Sequence, residues 1–277
     1  MLHARPHIYL ACLLALLAGS VTARAENLWP IDQRFSVQLG AFLVDTDTSV
    51  RLDGTNNNFG TEVDFDDEFG LSDQTRFRVD GYWRFLDRHK LRFLYFDSRQ
   101  SETRNISRTI DFGDTEFPVN AIVEASVQIQ IIEVAYEYSF LRRENFELSG
   151  SLGLHNLSIE AGLSGTASSN AGQGGISESS EADGNGPLPV IGLRGIWALS
   201  DHFYFDLQAQ FFAIQFENFD GSLEDYKVGF VWQPFRNAGI GIAYNGFRTT
   251  LDVEETRFNG RLRFEYAGPV AFFTLAF

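Results

Sequence analysis

The sequence contains a single cysteine, Cys12, and none after it. The rest of the chain therefore has no thiol that could form a disulfide, bind a metal ion or act as a nucleophile. Cys12 does not fit a lipoprotein signal, because the apolar run 13–18 follows the cysteine instead of preceding it. The folded chain must be stabilised by backbone pairing and burial.

The sequence also lacks an apolar run of 18 or more residues, and its apolar residues show no helical periodicity. A membrane-spanning helix is therefore not predicted. The chain has instead 27 Phe, 9 Tyr and 4 Trp, and apolar and polar residues alternate along many segments. Alternation with a period of two predicts strands with one apolar and one polar face.

Basic residues are also scarce. Without the two arginines of residues 1–25, 20 basic and 37 acidic residues remain, a net charge of −17. This charge argues against nucleic acid as a partner. It is compatible with a lipopolysaccharide surface, where divalent cations can bridge carboxylates to phosphates.

The two ends of the chain indicate its destination. Residues 1–25 have the basic, apolar and Ala-x-Ala order of a cleaved secretory signal peptide, which leaves one domain over 26–277. Segment 270–277 places Phe273, Leu275 and Phe277 on one face of a final strand. A strand that ends the chain on an aromatic residue resembles the C-terminal assembly signal of bacterial outer-membrane β-barrels, and we assign these three residues to it.

An all-β fold follows from these features: a single antiparallel up-and-down transmembrane β-barrel of about ten strands, with 8 to 12 allowed. The predicted strands are 33–45, 74–86, 90–99, 122–140, 145–159, 188–199, 202–216, 223–233, 238–253 and 258–277. The tight turns 86–90, 141–145, 200–202 and 234–237 are assigned to the periplasmic side. Segments 46–73, 100–121 and 160–187 are assigned to long external loops, and 162–186, rich in Gly, Ser and Ala, to a mobile loop.

The even strand count requires an interpretation of Gly268 and Pro269. A turn there would give eleven strands, so we interpret the dipeptide as a bulge in one long final strand. A bulge would also explain why the apolar residues before it are out of phase with those after it. A similar phase slip is predicted between Ile131 and Ile132.

Charged residues on the polar faces are expected to point into the lumen, because a cation facing lipid at the midplane costs about 2–4 kcal/mol. The predicted lumen charges are Arg76, Arg78, Asp80, Arg84, Arg92, Glu133, Glu137, Arg194, Asp206, Asp225 and Lys227. They would either pair with one another and fill a narrow barrel, or line a pathway that selects small solutes.

Other candidate sites are weaker. Nine acidic residues lie between 45 and 73, but their spacing does not match a calcium-binding loop, so a solvated acidic loop is favoured over a calcium site. His155 is predicted to point inward, where with Ser151 or a nearby acid it could act as a catalytic base. No motif supports this, so catalytic residues, metal ions and cofactors are not predicted.

Two segments resemble uncharacterised Gram-negative outer-membrane β-barrel proteins: the acidic 63–71, followed by Arg84-Phe85 and the basic turn near His89, and the closing 258–269 with its terminal Phe. The resemblance implies a barrel in the outer membrane, with no assigned substrate or catalytic residue.

The favoured function is a monomeric outer-membrane barrel that is either a narrow porin-like channel or an envelope-structural barrel with a charged lumen. A surface-binding, adhesin-type barrel acting through its acidic and Ser/Gly-rich external loops is the alternative, and an outer-membrane hydrolase is less favoured. The expected partners are outer-membrane lipid and lipopolysaccharide, the outer-membrane assembly machinery and small solutes.

Overall fold

The computed structural model describes residues 28–54, 59–71, 74–167, 176–216, 219–254 and 259–277. The predicted signal peptide, residues 1–25, lies outside these ranges. No helix in the described part of the chain is long and apolar enough to cross a membrane.

Ten long strands form a closed antiparallel ring. They are β1 (Phe35–Leu52), β3 (Gln74–Leu86), β4 (His89–Asn105), β7 (Ile122–Arg142), β8 (Phe146–Ala167), β9 (Ile176–Ala198), β10 (Phe203–Phe216), β11 (Phe219–Phe235), β12 (Ala238–Glu254) and β13 (Asn259–Ala276). Each pairs with the next, and β13 pairs with β1 from Ser36 opposite Ala276 upward. Short elements complete the described fold: α1 (Trp29–Asp32), β2 (Val63–Asp64), α2 (Phe65–Phe69), β5 (Ile110–Phe112) and β6 (Thr115–Phe117). The predicted up-and-down barrel of about ten strands is confirmed.

Several strands continue well beyond their predicted ends. β8 runs to Ala167 and β9 starts at Ile176, and the two remain paired throughout. The mobile loop predicted over 162–186 is therefore wrong for its described residues, while 168–175 lie outside the described ranges. The ladder continues because backbone hydrogen bonds do not depend on apolar side chains.

The predicted bulge at Gly268 and Pro269 is also wrong. The register of β12 and β13 is unbroken, with Pro269 opposite Tyr244. Every second residue of β13 points inward, from Leu262 to Ala276, so Tyr266 faces the lumen and Phe273 faces outward in the same phase. The predicted slip between Ile131 and Ile132 does not occur either, because the register of β7 and β8 is regular there and shifts only between Ser139 and Leu141, beside the tight turn.

The apparent phase slips mark a change of the medium around the barrel. Ile131 is 1% exposed and Ile132 is 41% exposed. Between this point and the tight turn that follows β7, the outward residues are apolar and many inward residues are charged. Toward the other end of the strand the inward residues are apolar, and outward residues such as Gln128 and Glu124 are polar. Lipid requires an apolar outer face, whereas water requires a polar one around an apolar core. The strands therefore leave the bilayer and form an extracellular extension.

The lengths of the strands agree with this division. β7 has 21 residues, whereas a tilted strand needs about 9–11 residues to cross a bilayer. Exposed aromatic side chains, including Trp83, Tyr136 and Trp232, lie on the outer face beside the tight turns. This position fits the lower membrane interface, where such rings are favoured.

Candidate functional site: a closed lumen and an acidic groove

A network of ion pairs fills the half of the lumen next to the tight turns, here called the lower lumen. Arg84 binds Glu147 through two hydrogen bonds, Nη1 to Oε1 at 3.0 Å and Nη2 to Oε2 at 2.7 Å. The Lys90 ammonium lies 2.6 Å from Glu137 Oε1 and 2.7 Å from Glu147 Oε1. Arg92 joins Glu137, at 3.7 Å, to Glu133, at 3.4 Å. All six side chains are buried.

A second group of ion pairs lies on the neighbouring part of the wall. Arg194 donates two hydrogen bonds to Asp206, at 2.8 and 3.0 Å. The Lys227 ammonium lies 3.8 Å from the same carboxylate and 3.1 Å from Asp80, to which Arg78 donates at 3.2 Å. Asp80 keeps 20% of its side chain exposed, while the other four are buried.

Nine of the eleven predicted lumen charges thus join one network or the other. Arg76 lies higher on β3, is partly exposed and donates to Ser98 Oγ at 2.8 Å. Asp225 is buried, and no cation of the described chain lies within 4 Å of it. The prediction missed Lys90 and Glu147, which lie next to tight turns. Their spacing of two from inward residues on the same strands was the available signal.

The N-terminal segment closes the periplasmic mouth. Leu28 N–H donates to Glu144 O at 2.9 Å, and Trp29 N–H donates to Asp201 at 3.1 Å. The Gln33 side-chain amide donates to Gln233 at 2.9 Å. These contacts attach α1 to β11 and to two different turns, and Ile31 is fully buried. The segment therefore acts as a plug.

The extracellular half of the barrel is filled by an aromatic layer. Tyr266 contacts the rings of Phe42, Phe96 and Phe247, with centroids 5.3, 5.0 and 5.1 Å away. Arg78 donates to the Tyr266 hydroxyl at 3.0 Å, so this residue joins the aromatic layer to the charged one. The lumen is occupied on both sides of this junction.

A lid covers the upper mouth. It consists of α2 and the β5–β6 hairpin, whose residues Phe65, Phe69, Ile110 and Phe112 are fully buried. Asp111 O accepts from Thr61 N–H at 2.7 Å, and Gly113 N–H donates to Leu52 O at 2.9 Å. These bonds connect the hairpin to the segment between β1 and β2 and to the end of β1 itself. Together with the plug and the aromatic layer, the lid leaves most of the lumen-facing side chains of the described residues buried.

An acidic groove lies on the outer wall of the extracellular extension. β3 begins only at Gln74, so α2 and β2 occupy the space beside the upper part of β1. The resulting cavity has a volume of about 480 Å³ and is lined by Asp45, Thr46, Asp47, Asp64, Asp66, Asp67, Glu265 and Ala267. Ligand atoms of Asp47, Asp64 and Asp66 lie within 4.8 Å of one another. The groove faces water just above the lipid-facing band.

The ends of α2 explain how the groove is built. Asp64 caps the helix by accepting N–H groups of Asp66 and Asp67, at 3.1 and 2.8 Å. Gly70 ends it with φ at 73°, a left-handed conformation that favours glycine. Asp66 accepts hydrogen bonds from Thr46 and Thr48. Burial, the largest influence, raises the pKa of Asp66 to about 6 despite these bonds.

The three described histidines lie away from this groove. His155 is buried inside the barrel, as predicted, and stacks on Phe247 with ring centroids 6.3 Å apart. His89 and His202 are on the periplasmic side, beside Tyr136 and Gln233. His155 is 1% exposed, so the described residues do not present it at the outer surface of the barrel.

The predicted assembly-signal residues lie on the lipid side. Phe273 and Phe277 are exposed and Leu275 is partly exposed, all on the outer face of the last strand. Their role in assembly stays a prediction.

No protein-family model matches the chain, and no curated protein matches it. Among solved structures, the outer membrane protease OmpT from Escherichia coli is 11% identical, with 92% of this chain and 100% of that chain covered and a TM-score of 0.58. The attachment invasion locus protein Ail of Yersinia pestis is 10% identical, with 86% and 97% covered and a TM-score of 0.35. The P. putida toluene transporter TodX is 8% identical, with 91% and 92% covered and a TM-score of 0.32.

The TM-scores of the last two structures are too low to support a common fold, and the first supports the fold alone. The closed ring of strands and its exposed apolar band, together with that fold, are those of a barrel that spans a membrane. This chain is an integral β-barrel protein of the outer membrane.

Proposed function

We propose that the protein is a closed, envelope-structural barrel that anchors a rigid extracellular extension in the outer membrane. The observation that carries the proposal is the filling of the lumen. Charged pairs occupy its lower half, an aromatic layer occupies its upper half, and both mouths are covered. A polar pathway for solutes would need its charges in contact with water.

The energetics of the lumen support the same function. Buried ion pairs are weak contributors to stability when compared with apolar packing, but breaking one is costly. Six buried cations each meet a carboxylate, as Lys90 and Arg194 do, and their ion pairs connect seven of the ten strands, from β3 to β11. A narrow barrel with such a core holds its shape without a bound solute.

Liposome swelling tests the proposal. Vesicles that contain the refolded chain should be no more permeable to small sugars and amino acids than empty vesicles. In cells, loss of the chain should increase sensitivity to bile salts and large antibiotics, and its restoration should reverse this. Rapid solute entry into the vesicles would contradict the closed barrel. Unchanged envelope integrity would contradict the structural role.

Surface binding is the second candidate, and the acidic groove favours it. In the described chain, no ion pair connects Asp45, Asp47, Asp64 or Asp66 to a cation, so a positively charged partner would meet uncompensated carboxylates. The double variant Asp45→Asn with Asp47→Asn should weaken binding of a lysine-rich probe peptide at low salt. Glu224→Gln, exposed on another strand of the extension, is the matched control. Equal binding by both variants and the wild type would remove the groove from consideration.

A further inference from the structure

We propose that the lumen contains a binding site for one divalent transition-metal ion, formed by Glu133, His155 and Asp225. One potential ligand atom from each residue lies within 4.8 Å of the other two. All three side chains are at most 1% exposed. The site is separate from the acidic groove on the outer wall, and it extends the proposed structural function, on which its physiological meaning rests.

The fold brings these residues together from two sides of the barrel. Glu133 of β7 and His155 of β8 are direct partners in the register, with Oε2 and Nε2 3.2 Å apart. Asp225 comes from β11, which is three strands further around the ring from β8. A metal ion there would connect the two walls in a chain that forms no disulfide after Cys12.

Neighbouring side chains hold the ligands in place. Gln210, opposite Asp225 in the register, donates to Glu133 Oε1 at 2.7 Å, while Oε2 lies toward His155 and also accepts from Arg92 Nη2 at 3.5 Å. Phe247, the partner of Asp225 on its other side, stacks on the imidazole with an interplanar angle of 3°. Such contacts around ligands fix their orientation and usually affect metal affinity.

Unpartnered polar atoms point independently to a ligand. Both carboxylate oxygens of Asp225 and Nδ1 of His155 are buried without a hydrogen-bond partner, and His155 Nε2 has only the Glu133 carboxylate beside it, 3.2 Å away. A buried carboxylate without a hydrogen bond is strongly disfavoured, and no cation of the described chain lies within 4 Å of Asp225. A metal ion at this position would satisfy Asp225 and His155 together.

The donor set indicates the class of metal. One imidazole nitrogen and two carboxylate oxygens suit Zn²⁺, Mn²⁺, Fe²⁺ or Co²⁺, whereas Ca²⁺ and Mg²⁺ prefer oxygen ligands alone. This inference revises the expectation from sequence that the protein contains no metal ion. The signal was missed because Asp225 is 70 residues from His155 and the spacing resembles no metal motif.

Refolding with metal tests the site. The purified chain is folded from urea into detergent with Zn²⁺ or Co²⁺, and excess metal is then removed with a chelator. Elemental analysis should find about one equivalent retained, since the lumen is closed to the chelator. Bound Co²⁺ should show the strong visible bands of four- or five-coordinate geometry. No retained metal, or a six-coordinate aqueous Co²⁺ spectrum, would overturn the proposal.

Variants distinguish this site from the external carboxylates. Asp225→Asn and His155→Gln should each lower metal affinity by about tenfold or more, while Asp47→Asn, the control in the groove, should leave retention unchanged. Migration on unheated gels and circular dichroism report whether each variant is folded. Retention that persists in both folded lumen variants would refute the assignment, as would loss in the control alone. If neither variant folds, the Co²⁺ spectrum of the wild type decides. The swelling assay is independent of these results.

Discussion

Replacing Lys90 with methionine should strongly destabilise the barrel, because it removes a cation from a site that excludes water. The ammonium is fully buried and lies 2.6 and 2.7 Å from the carboxylates of Glu137 and Glu147. In Lys90→Met, Glu147 keeps its two hydrogen bonds from Arg84, but the nearest remaining cation of Glu137 is Arg92, at 3.7 Å.

The magnitude follows from this arrangement. A close charge pair at an effective dielectric constant of about 20 contributes about 4 kcal/mol, which is partly offset by desolvation of the ammonium. Breaking a buried pair typically costs about 3–5 kcal/mol because a charge is left without a partner. We therefore expect Lys90→Met to lower the free energy of unfolding by about 3–5 kcal/mol. Adding Glu137→Gln should recover part of this loss.

Urea unfolding in lipid vesicles, followed by tryptophan fluorescence, measures the effect. The matched control is Arg248→Met on the outer surface of the extension, where Arg248 is 58% exposed and pairs with Glu265 at 2.8 Å. That variant should cost at most about 1 kcal/mol, as exposed pairs do. An equally small loss in Lys90→Met would mean that water solvates the lumen carboxylates, and the closed lumen would be refuted.

Three further outcomes are expected. Phe247→Ala should lower the free energy of unfolding by about 3–5 kcal/mol, because it leaves a cavity in the aromatic layer. Phe211→Ala on the outer face should lower it by less than about 2 kcal/mol. Equal losses in urea unfolding would contradict the faces assigned to these two residues. The pKa of Asp66 is raised to about 6 in the folded chain, so the Asp66 carboxyl stays protonated to a higher pH in the folded state than in the unfolded state. Docking of α2 should therefore be most stable below about pH 4 and weaken up to about pH 6, and Asp66→Asn should abolish this trend in hydrogen exchange corrected for intrinsic rates. Arg84 donates to Gln33 O at 3.1 Å and to Ile31 O at 3.3 Å, so deletion of residues 28–33 should remove two of its acceptors and destabilise the barrel. Vesicles should stay impermeable because the aromatic layer remains, and leakage would show that the plug alone closes the lumen.

The two faces of each strand could be predicted from the sequence because they depend only on a period of two. Once lipid was assigned to the apolar side, Arg84, Glu137 and Asp206 had to point inward, and they do. The even strand count followed from closure of the ring. The residue-by-residue register between strands could not be predicted, because side chains from distant strands decide it.

The extracellular extension was missed for a physical reason. Apolar and polar residues alternate in the same way whether lipid or water surrounds the strand; the apolar face points outward in lipid and inward in water. At Ile131 and at Gly268 this exchange of the apolar face was interpreted as a phase slip in the strand. The structure shows a constant phase and a change of medium.

The short capping elements had weaker signals. The lid helix α2 carried an Asp64 N-cap and a Gly70 C-cap, both visible in the sequence, although five residues give no periodicity. The plug helix α1 has only Pro30 near its start as a signal. Both depend on contacts with strands far away in the chain, which local sequence does not encode.

Thiol labelling inside the barrel tests the closed lumen most directly, because the chain has no cysteine after Cys12. Ser149→Cys places one thiol at a buried lumen position, and Ser101→Cys places one on the exposed face of β4. In the folded mature barrel, a small water-soluble thiol reagent should modify Ser101→Cys quickly and should leave Ser149→Cys unmodified until urea unfolds it. Rapid modification of folded Ser149→Cys would show that water and solutes enter the lumen, and would contradict the account.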